Sequence, residues 1–275
     1  MKAIRIMMFI ALVSGGAVSC TSSLQKKAEA DFQRVDAFVR QQEFTTAMEL
    51  LDSMARWNNS DYGIVGETLR RKNAIASEYH QQAVTQKTSL LNILQAQVQP
   101  LARDFRFTPG EAGMPGIYEH KRQTVESSWN RTYLKITLNE TGEVWLTSHF
   151  YGKSWIDHVA LRVYDSGNYV VSDTIPMDDP WNRKVEDLGD KWETIEFREG
   201  TDAGIMAFIA DNYLKSLKVR FNGKSFHYIV LESYDKEAIR KGWELAQLLK
   251  EMDGLRQSIE QHQKELKQLG TAAGA

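Results

Sequence analysis

The first part of the chain places apolar residues three and four positions apart, which is the spacing of one helix face. Phe32, Val35 and Phe38 recur in this way, and a second run extends from Phe44 to Met54 after the polar segment Gln41-Gln42-Glu43. Such spacing aligns apolar side chains on the side of a helix that faces a core. The pattern predicts one kinked helix or two helices.

A longer helix is predicted after the cluster Asn58-Asn59-Ser60-Asp61, whose side chains favour a turn and a helix start. The apolar positions from Val65 to Leu94 keep the helical spacing. Pro100 is expected to end this helix near Gln99, because proline has no amide hydrogen to donate. Together these segments predict an N-terminal helical region over residues 28–107.

The period of the pattern then changes from helical to two. Residues 108–116 are rich in glycine and proline, which is typical of a linker or domain boundary. Beyond them apolar and polar residues alternate, as at Leu134, Ile136 and Leu138, and this alternation is typical of half-buried strands. The pattern predicts a β-rich, mainly antiparallel domain over residues 117–231.

The most specific strand prediction is a hairpin near the end of this domain. Asn222-Gly223 favours a two-residue turn of type I′ between two alternating segments. Such a turn would pair Val219 with Phe226 and Leu217 with Tyr228, so that apolar side chains face each other.

A last helix is predicted over residues 233–269, with Ser233 as its N-terminal cap. Apolar residues from Leu245 to Leu269 alternate at spacings of three and four, which is the pattern of a coiled-coil seam. This seam needs a partner, and the N-terminal helices are the nearest. The predicted fold class is therefore α+β: a helical bundle or coiled-coil stalk, built from the N- and C-terminal helices, with an inserted, mainly antiparallel β domain.

The first nineteen residues have the layout of a secretory signal peptide. Lys2 and Arg5 precede an unbroken apolar run from Ile6 to Val13, and small residues follow. The run is far shorter than the ~20 residues with which a helix crosses a bilayer.

The sequence Ala17-Val18-Ser19-Cys20 resembles the lipobox of bacterial lipoproteins, with alanine in place of the commoner leucine. The resemblance implies cleavage between Ser19 and Cys20, a diacylglyceryl group on the Cys20 thiol, and acylation of the new amino terminus. Residues 20–27 would then form a lipidated tether. Two or more acyl chains give stable anchoring where a single chain is marginal. The alternative is an ordinary signal peptide with Cys20 as a free thiol.

The lipobox implies a location outside the cytoplasm, with the protein anchored by lipid to the cell membrane or the outer membrane. Thr21 replaces the aspartate that retains some lipoproteins at the inner membrane, which favours the outer membrane where two exist. Since Cys20 is the one cysteine of the chain, no disulfide is expected.

The charge balance excludes one class of partner. The chain has 34 basic and 36 acidic residues, and removal of residues 1–19 takes away Lys2 and Arg5, leaving 32 basic residues and a net charge of −4. Without a basic field, a nucleic-acid partner is not expected.

Recognised catalytic and cofactor motifs are missing from the sequence. There is no HExxH segment, no Gly-x-Ser-x-Gly elbow, no phosphate-binding loop and no dinucleotide fingerprint. The sequence therefore predicts a protein that is not an enzyme, without a cofactor and without a metal.

A binding surface is predicted in the β domain. If residues 144–150 and 156–164 form a hairpin, His149 lies near His158, and Trp145 lies near Arg162 on the outward face. Two imidazoles suit a divalent metal or a pH-sensitive patch, and exposed aromatic rings suit sugars or a protein partner. The alternative is that these residues only pack at the surface or between domains.

Acidic residues surround Pro180-Trp181, and their spacing matches no known calcium loop. They are expected to form a solvated loop. The residues are Asp178, Asp179, Glu186, Asp187 and Asp190.

Three functions are compatible with these patterns. The first is a non-enzymatic envelope lipoprotein that presents the β domain on a helical stalk to a protein or cell-wall partner. The second is a lipoprotein that binds a glycan or small molecule. The third, a hydrolase of envelope material, stays open because pairs of catalytic carboxylates leave little trace in a sequence.

Overall fold

A computed structural model describes residues 23–57, 61–124 and 128–273. The predicted signal peptide, Cys20 and the residues up to Ser22 lie outside the described residues, as do Asn58, Asn59 and Ser60. The described helices are α1 (Ser23–Arg40), α2 (Phe44–Trp57), α3 (Tyr62–Ala102), α4 (Ile205–Asp211) and α5 (Ser233–Ala273).

The described strands form two antiparallel sheets between α3 and α5. The strands are β1 (Phe105–Thr108), β2 (Ile117–His120), β3 (Tyr133–Asn139), β4 (Val144–Gly152), β5 (Ala160–Tyr164), β6 (Tyr169–Val171), β7 (Asn182–Asp187), β8 (Asp190–Phe197), β9 (Lys218–Asn222) and β10 (His227–Val230). The predicted α+β class, with helices on both sides of an antiparallel β region in the chain, is confirmed. The stalk stays a prediction.

The chain divides into two compact units. The described part of the first unit, residues 23–57, 61–82 and 265–273, has a core of apolar residues from α1, α2 and α3 that includes Val35, Leu51 and Met54. Two helices form here, because Gln42 adopts a φ of 61° and interrupts the helical path between α1 and α2. The first of them begins at Ser23, within the predicted tether, and Leu24 packs against the core.

The second unit, residues 83–264, contains both sheets. Their strand orders are β1-β2-β3-β4-β8-β7 and β10-β9-β5-β6. The inner faces of the sheets share one core with α4 and the start of α5, because alternate residues of each strand turn inward. Its largest fully buried members include Phe197, Leu146 and Phe221.

Within the same unit, the end of α3 and the first half of α5 pack together. Leu94 and Val98 share a cluster with Leu245, Leu249 and Met252. The turn between β3 and β4 also meets α5 closely, since a Cβ on Gly142 would lie 2.3 Å from the backbone nitrogen of Lys250. Glycine is needed here for space and for its φ of 85°.

Three local predictions are corrected by the structure. Residues 108–116 are not a linker but the loop of a hairpin, because β1 pairs with β2. The third helix continues past Gln99 to Ala102, since Pro100 removes one amide donor and only two residues of the helix follow it.

The predicted register of the β9–β10 hairpin is wrong. Phe221 pairs with His227 and Val219 with Ile229, so a longer loop replaces the two-residue turn. Gly223 instead packs against the segment before β5, where a Cβ would lie 2.4 Å from the carbonyl oxygen of Ile156. This tertiary contact overrides the local turn preference.

No helix among the described residues combines the length and apolar character needed to cross a bilayer.

Candidate functional site

The outer face of the six-stranded sheet carries the aromatic and polar side chains best placed to meet a ligand. Leu146 and Phe150 of β4 point into the core. The side chains at the alternate positions, Trp145, Thr147 and His149, therefore point to the opposite side of the sheet. Trp145 and His149 are about 13 Å apart along β4, at ~3.3 Å per residue.

One end of this face forms a cleft of about 660 Å³, which we call the Trp145 cleft. The guanidinium carbon of Arg198 lies 4.2 Å from the ring centre of Trp145 and 4.1 Å from that of Trp181. Oε2 of Glu196 accepts hydrogen bonds from Nε of Arg198 at 2.8 Å and from Nη2 at 2.6 Å. The remaining lining residues are Thr108, Pro109, Gly110, Glu111, Met114, Pro115, Ile117, Asn139 and Glu143.

The β1–β2 loop forms one wall of the cleft because it folds back on itself. A Cβ on Gly110 would lie 1.8 Å from the carbonyl oxygen of Met114, so only glycine fits this close approach. The amide of Gly116 donates to Oε1 of Glu140 at 3.0 Å, which ties the loop to the β3–β4 turn. Met114 is 67 % exposed and borders the opening.

The polar groups of the cleft are held in fixed orientations. Nδ2 of Asn139 donates to Oε2 of Glu143 at 2.9 Å. Oδ1 of Asn139 accepts from the amides of Thr141 at 3.1 Å and Glu143 at 2.9 Å. A ligand entering the cleft would thus meet an amide and a carboxylate that lose little conformational entropy on binding.

A smaller pocket of about 200 Å³ lies at the His149 end of the same face. The His149 ring stacks on Tyr133, with ring centres 4.6 Å apart and planes 8° from parallel. Burial, followed by the positive charges of Lys135 and Arg131, lowers the pKa of His149 to about 3. Its imidazole is therefore neutral near pH 7, and the buried Nε2 atom has no hydrogen-bond partner among the residues that the structure describes.

Between the two cavities the outer face carries charged side chains that are already paired. Nζ of Lys135 lies 2.5 Å from Oε1 of Glu119, whose Oε2 lies 3.1 Å from Arg106. Burial alone would raise the pKa of Glu119, but these two cations lower it overall. Glu196 likewise lies 2.6 Å from Arg183. Glu119 is therefore not poised as a proton donor at neutral pH.

Inside the sandwich, Ser148, His158 and Glu193 form a chain that resembles the Ser-His-acid order of acyl-transfer enzymes. Oγ of Ser148 lies 2.9 Å from Nε2 of His158, and Nδ1 of His158 lies 2.7 Å from Oε2 of Glu193. All three residues are completely buried, and none lines a described cavity. A nucleophile must reach its substrate, so this chain is not placed to act on one.

The buried chain instead connects the two sheets. Glu193 belongs to β8, and its carboxylate accepts the amide hydrogens of Ile156, Asp157 and His158, just before β5, at 2.7, 2.9 and 2.9 Å. Burial acts to raise the pKa of Glu193, but the hydrogen bonds from His158 and from the backbone lower it overall. The carboxylate therefore stays ionised and holds the crossing segment in place.

No protein-family model matches this chain, and no curated protein or solved structure is significantly similar to it. The site is therefore interpreted from its own geometry.

The structure separates the four residues of the predicted binding surface. Trp145 and His149 share the outer face of the six-stranded sheet, while His158 is buried between the sheets. Arg162 lies in the four-stranded sheet, 4.0 Å from the ring centre of Tyr169. The predicted hairpin is wrong because β4 pairs with β8, which sets His149 opposite Thr194.

Sequence analysis did not indicate which residues lie together in these sites. Arg198 and Trp181 join Trp145 only because β7 and β8 pair beside β4. Glu193 reaches His158 from 35 positions away. The alternation of apolar and polar residues along β8 indicates which side chains face inward and which face outward. No local motif indicates which strands pair with it.

The acidic residues around Trp181 lie partly in strands. Glu186 is on β7, 2.7 Å from Lys191, and Asp190 on β8 forms an ion pair with Lys153. Within the part of the chain that the structure describes, no group of three or more His, Cys, Asp or Glu side chains is placed to hold a metal ion.

Proposed function

We propose that this protein is a non-enzymatic envelope lipoprotein that binds a glycan in the Trp145 cleft. The observation that carries the proposal is the arrangement of Trp145, Arg198 and Trp181 beside an open cleft of about 660 Å³. This volume falls within the ~300–1,000 Å³ typical of ligand sites. The helical parts would present the cleft away from the membrane.

The chemistry of the lining favours a ligand with apolar faces and hydroxyl groups. The exposed indole of Trp181 and the side chains of Met114 and Ile117 offer apolar contact, while the carboxylate of Glu143 offers a hydrogen-bond acceptor. Sugars combine these two properties, since their ring faces pack on aromatic side chains and their hydroxyls donate and accept hydrogen bonds. Arg198 is already paired with Glu196, and the lining also carries the carboxylates of Glu111 and Glu143, which favours a neutral glycan over an anion.

Binding without hydrolysis is supported by the state of the ionisable groups. The carboxylate of Glu196 is shared by Arg183 and Arg198. Glycoside hydrolysis needs one carboxyl group that donates a proton and a second that attacks or activates water. The Ser148-His158-Glu193 chain is sealed inside the core.

Trp181→Ala is expected to weaken glycan binding at least tenfold, because the exposed indole wall of the cleft is lost. The measurement is isothermal titration of the purified full-length chain with soluble oligosaccharides released from the cell envelope. The expected tenfold loss corresponds to about 1.4 kcal/mol.

The matched control is Trp129→Ala, which removes an exposed tryptophan beside the smaller pocket instead of the cleft. Its affinity should stay within twofold of the unsubstituted protein. An equal loss in both variants, or the lack of saturable binding to any envelope glycan, would contradict the proposal.

The lipid anchor is proposed from the sequence, since Cys20 lies outside the described residues. Cys20→Ser is expected to move the protein from the membrane fraction to the soluble fraction and to abolish incorporation of labelled palmitate, because the acyl chains attach through that residue. Thr21→Ser is the control and should change neither result. A Cys20→Ser protein that stays in the membrane fraction would exclude this anchor.

A further inference from the structure

The outer face of the four-stranded sheet is a second surface, independent of the Trp145 cleft. Leu161, Val163 and Val219 point into the core, so the side chains between and beside them point outward. We call this surface the basic–aromatic face. Its central strands β5 and β9 contribute Arg162, Tyr164, Lys218 and Arg220.

Three positive charges lie next to one another on this face without a counter-charge. Arg162 is directly opposite Arg220, and Lys218 is opposite Tyr164. None of the three cations forms an ion pair with a described residue, and no outward position of the four strands is Asp or Glu. Like charges directly opposite each other in a sheet are destabilising. In a chain whose net charge is −2, this arrangement favours an anionic partner.

Apolar side chains flank the cations on both outermost strands. Tyr169 and Val171 stand on β6, and Phe226, Tyr228 and Val230 stand on or just before β10. All five are exposed, and all except Val171 are more than half exposed. Exposed apolar side chains gathered on one face are typical of interaction sites.

Each arginine lies over one of the flanking rings. The guanidinium carbon of Arg162 lies 4.0 Å from the ring centre of Tyr169, and that of Arg220 lies 4.7 Å from the ring centre of Phe226. Nε of Arg162 is buried and has no hydrogen-bond partner among the described residues, whereas Nε of Arg220 donates to Oδ1 of Asn222 at 2.6 Å. A carboxylate of a partner would therefore meet the terminal Nη groups of the two arginines, which can donate two hydrogen bonds to it.

The arrangement of charged and apolar side chains across the four strands favours a polypeptide over a membrane or a polysaccharide. The cations run along the middle and the apolar residues along both rims, so a bilayer would have to cover the central charges before the rims could insert. Val171 and Val230 offer no flat face to a sugar ring, whereas they can pack against apolar side chains. Tyrosine, phenylalanine and arginine are enriched in protein interfaces, where aspartate and glutamate are depleted.

We propose that the basic–aromatic face binds a protein partner through an acidic segment. The carboxylates of the segment would meet Arg162, Lys218 and Arg220, and its apolar side chains would pack on the flanking rims. This adds a protein-binding surface on the sheet opposite the proposed glycan cleft and does not depend on that cleft.

The test uses the full chain with Cys20→Ser, so that acyl chains contribute nothing to binding. Its probes are poly-glutamate, a glutamate–tyrosine copolymer of matched length, polygalacturonate, and vesicles of phosphatidylglycerol and phosphatidylcholine, at about 0.15 M salt, where distant surface charges are screened. The copolymer is expected to bind at least threefold more tightly than poly-glutamate. It should also bind more tightly than polygalacturonate or vesicles at equal concentrations of negative charge.

The double substitution Arg162→Glu with Arg220→Glu is expected to weaken copolymer binding at least tenfold. The matched control, Arg56→Glu with Arg103→Glu, makes the same change of net charge at two exposed arginines elsewhere in the chain. Its affinity for the copolymer should stay within twofold of that of the Cys20→Ser protein. If the charge reversal prevents folding, Arg162→Gln with Arg220→Gln removes the charges more gently and should still weaken binding. Tyr228→Ser should abolish the preference for the copolymer.

Three results would overturn the proposal. Tighter binding to vesicles would assign the face to a membrane, and tighter binding to polygalacturonate would assign it to an acidic glycan. An equal loss of affinity in the control variant would show attraction by overall charge alone.

Discussion

Glu193→Gln is expected to lower the free energy of unfolding of the sheet-containing unit by about 3–5 kcal/mol, the range observed when one partner of a buried charged network is removed. Oε1 of Glu193 accepts the amides of Ile156 and Asp157, and Oε2 accepts the amide and Nδ1 of His158. Either orientation of a glutamine amide would turn its NH₂ group toward two of these donors. The measurement is urea unfolding followed by tryptophan fluorescence.

The pH dependence of this loss gives a second measurement on the same variant. The folded pKa of Glu193 is lower than its ordinary value of 4.5. Its stabilising contribution is therefore complete above about pH 4.5 and is lost as the pH falls through the folded pKa. The difference in stability between the two proteins should narrow in acid. Glu186→Gln, at a half-exposed ion pair with Lys191, is the control and should cost less than about 1 kcal/mol. A constant difference down to pH 2 would contradict this role of Glu193.

Gly142→Ala is expected to destabilise the same unit by about 2–5 kcal/mol, from left-handed backbone strain together with overpacking. The φ of Gly142 is 85°. A Cβ there would lie 2.3 Å from the backbone nitrogen of Lys250 and 2.5 Å from the carbonyl oxygen of Ala246. Backbone atoms of a helix cannot move aside as a side chain can, so the β3–β4 turn must shift away from α5.

Gly189→Ala is the control that separates left-handed backbone strain from steric collision with α5. Gly189 has a φ of 82°, but a Cβ there would meet no atom within 4 Å. It should therefore cost only the left-handed strain, about 1–2 kcal/mol. The excess loss for Gly142→Ala, measured by urea unfolding, reports how closely the turn packs on α5. Equal losses of stability at the two glycines would contradict the close packing of the β3–β4 turn on α5.

The outer faces of the two sheets differ in the pairing of their positive charges, although the sheets share one core. Lys135, Arg183 and Arg198 on the six-stranded sheet are paired with carboxylates. Arg162 and Arg220 on the four-stranded sheet have no carboxylate partner among the described residues. Paired charges beside tryptophans suit a neutral ligand, and unpaired cations beside exposed rings suit an anionic one. This difference underlies the two separate proposals for glycan and protein binding.

The candidate site was predictable only in part. Trp145 and His149 occupy alternate positions of a strand that the pattern predicted, and they do share an outward face. The chain gave no comparable indication for Arg198, Trp181 or Glu193. Their contacts require β4 to pair with β8, and the turn residues near either strand carry no information about a partner some 40 positions away in the sequence.

The periodicity of the sequence determined the types of the elements. A spacing of three and four produces α1 to α3 and α5, and a spacing of two produces the strands, because these periods align apolar side chains on one buried face. The α+β class follows from that pattern.

Only the tertiary structure decided which strands are neighbours and in what register. The alternation along β4 is equally satisfied by pairing with β5 or with β8, since either keeps Leu146 and Phe150 inward. The choice depends on how both sheets close over one core and on the buried bonds of Glu193 to the segment before β5. The same closure set Phe221 opposite His227, against the preference of Asn222-Gly223 for a two-residue turn. Local sequence specifies which face of a strand is buried, whereas long-range packing selects the strand beside it.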